Sequence, residues 1–348
     1  MKITTTKFGE HEGNTVYSYK LENNQGMSIS CITLGCIITE IQTPNQNGEI
    51  ENVVLGYDDV ASYLERTNYF GAVVGRVAGR IDKGEFELNG QQYSLPQNEN
   101  TNHLHGGPNG FDRQVWDAEL IETESEVGVE FSYLSKDGEA GYPGNLTVKV
   151  SYLLNNENEL HIKYYATTDK DTLVNLTNHT YFNLSGNVKK DILSHQLKIK
   201  SQKILELNND FIPTGEFLNV DSTPFDFKNG KEIKEAVLSE HPQIKLVGQG
   251  IDHPFLLDEN HNEEIMLADK ESGRKLIIET DEQSVVVYTS NMLDESFKVR
   301  DVQSKKYLAI CLETQGLPDS IHHPKFSPCI LKAGEEYKTT TKYKFTTI

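Results

Sequence analysis

Five polar islands interrupt an otherwise alternating chain, and each holds residue types that can do chemistry. Glu313 sits in Leu312-Glu313-Thr314-Gln315-Gly316, directly after the apolar run Tyr307–Leu312. A carboxylate at the end of a buried strand loses water, so its pKa rises toward the range of a useful base. His179 lies in Asn175-Leu176-Thr177-Asn178-His179-Thr180-Tyr181-Phe182-Asn183-Leu184. Amides, hydroxyls and an imidazole beside aromatic rings resemble a carbohydrate pocket, where polar groups read hydroxyls and rings pack on C–H faces. In Gly75-Arg76-Val77-Ala78-Gly79-Arg80, either arginine can present a guanidinium fork to hydroxyl or carboxylate oxygens. That segment lacks the Gly-Lys-Ser/Thr ending of a phosphate loop. In Asn102-His103-Leu104-His105-Gly106-Gly107, the two histidines share a face if the segment is a strand. Metal binding there needs further ligands, and none stands at a matching local spacing. Asp252, in Gly250-Ile251-Asp252-His253-Pro254-Phe255, precedes a strand-like run and has the position of a turn residue or cap. Each of these residues also has an ordinary structural use, and none decides a function alone.

The elements that must position them are strands. Leu146, Val148, Val150 and Tyr152 alternate with polar neighbours, as do Leu160, Ile162 and Tyr164. Period two places apolar side chains on one face of a half-buried strand. Asn23-Asn24-Gln25-Gly26, Asn89-Gly90 and Lys270–Gly273 are turn signals between such runs. Asn-Gly is a hairpin turn because both residues tolerate positive φ. Two short helices are expected, one capped by Asp58 and running to Arg66, the other over Lys231–Leu238. Strand–helix alternation does not recur, which excludes a doubly wound sheet or a β/α barrel. No linker or repeat divides the chain. The expectation is all-β: one large antiparallel β-sandwich domain over residues 1–348 with a few short helices.

Composition removes several function classes. The net charge of −19 disfavours nucleic-acid and anionic-membrane partners. No apolar run is long enough to span a bilayer. The segment Met1–Glu12 lacks the apolar core of a signal peptide, so a cytoplasmic location is expected. Cys31, Cys36, Cys311 and Cys329 form no CxxC pair and read as small apolar residues. The lone Trp116 reads as a core or edge residue.

Taken together, the islands resemble the aldose 1-epimerase (galactose mutarotase) family. The resemblance runs through nearly the whole chain in order: YFGAVVGRVAGRI at Tyr69–Ile81, LHGG at Leu104–Gly107, DGEAGYPG at Asp137–Gly144 and NLTNHTYFNL at Asn175–Leu184. It continues through PTGE at Pro213–Glu216, TPFDF at Thr223–Phe227, GIDHPF at Gly250–Phe255, CLETQGLPDS at Cys311–Ser320 and AGEEY at Ala333–Tyr337. The resemblance implies a galactose mutarotase-like supersandwich with an open sugar cleft. It also implies interconversion of the α and β anomers of free aldohexoses by ring opening and reclosure. By motif position it makes Glu313 the catalytic base and His179 the catalytic acid. It assigns Arg80, His105 and Asp252 to substrate binding, with Tyr181 in the pocket wall. It implies no cofactor and no metal, a monosaccharide as the small-molecule partner, and a monomer or homodimer. A charged imidazole is expected at His179, because a nearby carboxylate favours the protonated form. Two positions depart from some members: Gly79 stands where they have asparagine, and Val286 where they have glutamine. The rival readings are a hexose-phosphate mutarotase, a non-catalytic sugar-binding module on the same fold, and a metal enzyme built on His103 and His105.

Overall fold

The computed structural model describes residues 1–348. Three antiparallel sheets carry the fold. A five-stranded sheet runs in sequence order through Lys2–His11, Asn14–Glu22, Ser28–Ile32, Ile38–Pro44 and Ile50–Asn52. A nine-stranded sheet is ordered Asp117–Glu122, Glu126–Ser135, Leu146–Asn155, Glu159–Thr168, Glu336–Thr347, Arg274–Thr280, Ile265–Ala268, Gln196–Ile199, Lys231–Glu232. A six-stranded sheet is ordered Tyr181–Phe182, Ile310–Gln315, Ser284–Tyr288, Asp252–Leu256, Lys203–Leu207, Pro213–Asn219. Inward-facing residues of all three contribute to one apolar core of 53 buried residues. The architecture is the expected all-β sandwich, and no helix is long and apolar enough to cross a membrane.

Period two places the chemistry. In the six-stranded sheet Val285, Val287, Ile310 and Leu312 face the core. Their neighbours Val286, Tyr288, Cys311 and Glu313 therefore face the other way. Register then aligns them across strands: Glu313 pairs with Val286, which pairs with Pro254. One step along, Cys311 is flanked by Tyr181 and Tyr288, and Tyr288 pairs with Asp252.

The turns fall where expected. Asn89 (φ 53°) and Gly90 (φ 77°) join Glu85–Leu88 to Gln91–Ser94. The helices differ in detail. The first spans Val60–Glu65, and its cap is Asp59, whose Oδ1 accepts the Ser62 N–H at 2.8 Å. Asp58 instead accepts a hydrogen bond from Arg300 at 2.9 Å. The second spans only Ile233–Val237, because Lys231 and Glu232 pair with Leu197 and Gln196 as a short strand. A third helix, Pro242–Leu246, has no counterpart in the sequence reading, since five residues are too few to display a helical period.

Candidate active site

A cavity of about 250 Å³ opens over the outward face of the six-stranded sheet. Arg80, His105, His179, Tyr181, Asp252 and Glu313 all line it. These residues come from five separate segments of the chain, so the cavity is where the sequence islands converge.

Glu313 projects from its strand with the side chain only 4% exposed. His179 Nε2 lies 3.4 Å from Glu313 Oε1. The segment carrying His179 is fastened to the Glu313 strand and its extension by side-chain hydrogen bonds. The Thr177 hydroxyl donates to the Thr314 carbonyl at 3.0 Å. The Asn175 amide both donates to the Gly316 carbonyl at 3.2 Å and accepts its N–H at 2.8 Å. Asn178 donates to the Gly71 carbonyl at 2.9 Å, and His179 itself exchanges backbone hydrogen bonds with Gly71 and Ala72. The amides and hydroxyls of this motif are thus buried scaffolding rather than sugar readers, and His179 and Tyr181 are its residues in the cavity. The imidazole is stacked between Tyr69 and Tyr181, with ring centroids 5.8 and 5.1 Å away.

Electrostatics reverse one expectation. Burial pushes His179 down to about 4, so the resting ring is neutral rather than charged. The proton preference appears at the partner: burial, together with the nearby Asp252 charge, drives Glu313 well above the ordinary carboxylate range. Desolvation of the imidazolium dominates, and a Glu313 that keeps its proton offers no charge to offset it. Burial also lifts Asp252 to about 6, against the pull of Arg80.

His105 and His103 do not share a face. The strand His103–Leu104 ends before His105, which adopts φ 52°. His103 points inward, its Nδ1 2.7 Å from the Pro96 carbonyl and its Nε2 2.9 Å from the Tyr142 hydroxyl. His105 faces the cavity, and its Nδ1 accepts the Gly79 N–H at 3.2 Å. That bond places the proton of the neutral ring on Nε2, as a donor. Gly106 follows at φ 84°, where a Cβ would lie 1.7 Å from the Gly75 carbonyl oxygen.

The two arginines also part. Arg76 is buried, and its guanidinium donates to the carbonyls of Ser135, Lys136, Pro143 and Gly144 and to the hydroxyls of Ser135 and Thr172. It is structural. Arg80 reaches the cavity and grips Glu99 through Nε at 2.5 Å and Nη2 at 2.6 Å. Burial opposes its charge, yet the Glu99 hydrogen bonds and nearby carboxylates hold its pKa above the ordinary value. Glu99 and Tyr69 are lining residues that the sequence reading missed. Tyr69 opens the first matched motif and was legible there; Glu99 lies in a polar loop without a signal of its own.

His105, His179 and Glu313 each offer one ligand atom within 4.8 Å of the others. Two imidazoles and a carboxylate can hold a divalent metal. The surroundings fit that use poorly. A metal-bound imidazole donates its other N–H to an acceptor, whereas His105 Nδ1 already faces a backbone donor. The set fits a ligand that both donates and accepts hydrogen bonds, as a hydroxyl does.

Comparison with known proteins agrees with this geometry. The sequence profile described as aldose 1-epimerase matches residues 17–344. The chain is 39% identical over 350 residues to the galactose mutarotase of Rattus norvegicus, covering 99% of each chain. It is 36% identical over 342 residues to the aldose 1-epimerase of Streptococcus thermophilus, covering 96% of this chain and 95% of that one. The crystal structure of galactose 1-epimerase from Lactobacillus acidophilus superposes with a TM-score of 0.89 at 30% identity, covering 99% of each chain.

Proposed function

The chain belongs to the aldose 1-epimerase family and is an isomerase of that class, and we propose that it interconverts the α and β anomers of free aldohexoses such as galactose and glucose through Glu313 and His179. The observation that carries this assignment is the 3.4 Å approach of His179 Nε2 to Glu313 Oε1 inside a cavity. Glu313 removes the proton of the anomeric hydroxyl while His179 protonates the ring oxygen. The C1–O5 bond breaks, and an open-chain aldehyde forms. Rotation about C1–C2 presents the other carbonyl face. Reclosure then returns the proton from Glu313 to O1 and takes the O5 proton back onto His179.

One proton serves the pair throughout. With the closed sugar it resides on the imidazole; with the aldehyde it resides on the carboxyl. The free pair, a raised Glu313 beside a depressed His179, has the proton arrangement that meets the aldehyde. Both microstates carry the same count, so the titration belongs to the pair. Arg80, Asp252 and the Nε2–H of His105 hold hydroxyls and keep the opened chain in place, with Tyr181 as part of the wall. The four free cysteines suit a reducing, cytoplasmic setting.

Polarimetry on freshly dissolved α-D-galactose and α-D-glucose tests the assignment. Glu313→Gln and His179→Asn should each lose about 10²–10⁴-fold in rate, the span of positioned acid–base catalysis. Folded variants that retain the wild-type rate would contradict it. A hexose phosphate is a poor fit, because Arg80 is the only arginine or lysine lining the cavity and Glu99 already engages it. Galactose 6-phosphate should therefore be a much weaker substrate than galactose. A non-catalytic sugar binder would show heat of binding without any change in mutarotation rate.

A further inference from the structure

The cavity holds more negative charge than it neutralises. Its lining includes three carboxyl groups against the single guanidinium of Arg80, and even with Glu313 protonated the charges of Glu99 and Asp252 outnumber it. Its histidines add no charge, since burial depresses both His105 and His179. Arg80 commits Nε and Nη2 to Glu99 in a bidentate pair. Asp252 and Glu313 are left with no cation in hydrogen-bond contact. The Glu313 side chain is 4% exposed, and His179 Nε2 at 3.4 Å is its close polar neighbour. A deeply buried carboxylate without a counter-charge is costly, so Glu313 keeps its proton in the free cavity and becomes a carboxylate only beside a cation. The hydroxyls of a neutral sugar relieve that cost only in part.

We propose that this cavity selects ligands carrying a positive charge at the ring-heteroatom position, and that piperidine iminosugars bind it more tightly than neutral sugars of the same shape. The placement rests on the reading of Glu313 and His179 as the groups flanking the anomeric hydroxyl and ring oxygen. A ring ammonium there has two N–H donors. One meets Glu313, whose carboxyl proton passes to the neutral ring amine as it binds and leaves a carboxylate–ammonium pair in a charge-assisted hydrogen bond. The other meets His179 Nε2, with the imidazole's own proton on Nδ1. That nitrogen lies 3.5 Å from Cys311 Sγ, and a thiol can accept as well as donate. The net charge of −19 adds a long-range attraction for the same cation. By the same balance, sugars carrying a carboxylate or phosphate are disfavoured.

Titration calorimetry at pH 7.5 and low salt, with 1-deoxygalactonojirimycin and 1,5-anhydro-D-galactitol, tests this. The two ligands share ring and hydroxyls and differ in the ring heteroatom; neither has an anomeric hydroxyl, so neither turns over. The iminosugar should bind at least roughly 10-fold tighter, equivalent to about 1.4 kcal/mol. The gap should shrink in Glu313→Gln. In the unmodified protein it should also shrink as the pH falls below about 6, where Asp252 takes up a proton. The acid arm keeps the test decisive should the variant fold poorly. Equal affinities at pH 7.5, or a gap unchanged both by the substitution and by acid, would overturn the proposal. Galactose mutarotation by the same preparation separates the two readings. Acceleration without an iminosugar preference defeats the charge inference alone. A preference without acceleration defeats the acid–base reading and leaves the charge inference standing.

Discussion

Glu313 and His179 exchange one proton, and their environments set the pH range in which exactly one is present. Below about 4 the imidazole is protonated while Glu313 still holds its proton, so no base remains. At high pH the pair loses its only proton, at a value set by Glu313 and therefore above the ordinary carboxylate range. Rate against pH, corrected for the spontaneous reaction, should be bell-shaped, with an acid limb between roughly pH 4 and 6, where Asp252 also titrates. A flat profile from pH 4 to 9 would contradict a shared proton. Val286 contributes an apolar surface directly across from Glu313. Val286→Gln adds an amide to that wall and should change KM more than kcat, by different factors for galactose and glucose. At Gly79, φ is 76°, and a Cβ would lie 2.9 Å from Pro318 Cβ. Asparagine tolerates that φ better than most residues, but here it would also have to displace the proline.

At the scale of elements, the site depends on segments that carry no catalytic group. The buried Arg76 guanidinium ties together the carbonyls of Ser135, Lys136, Pro143 and Gly144. Arg76→Ala strands several buried acceptors, each costing about 1–3 kcal/mol, and should lower unfolding free energy by at least about 3 kcal/mol in denaturant titration. The Asn89-Gly90 turn is a contrasting case. A Cβ at Gly90 meets nothing within 4 Å, so Gly90→Ala incurs only the strain of positive φ. That substitution should cost roughly 1–2 kcal/mol and leave the mutarotation rate unchanged. The hairpin was legible because two adjacent residues encode it. The helix at Val60–Glu65 was legible only to within one residue, because Asp58 and Asp59 are equally good caps by type. Arg300, distant in sequence, engages Asp58 and leaves Asp59 to cap.

For the whole molecule, the shared core of 53 buried residues leads us to propose that the chain behaves as a single domain. Urea unfolding followed by far-ultraviolet dichroism and by the buried Trp116 should then give coincident transitions, and separated midpoints would indicate independent units. The all-β class was legible without coordinates, because period two and Asn-Gly turns are local signals. So was the family, because ordered motifs persist along nearly the whole chain. Arg80, His105, His179, Tyr181, Asp252 and Glu313 were nameable from those motifs. Their assembly was not, because the pairing of Tyr181 with Cys311 and the staples from Asn175 and Thr177 join residues more than a hundred positions apart. The motifs already chose Arg80 over Arg76 and His105 over His103, but the physical reason lies in the tertiary structure, since identical side chains a few residues apart differ in what surrounds them. The tertiary structure also decided the charge of His179. The family resemblance pairs a carboxylate with an imidazole, but which of them holds the proton depends on how deeply both are buried, and burial is a property of the folded whole.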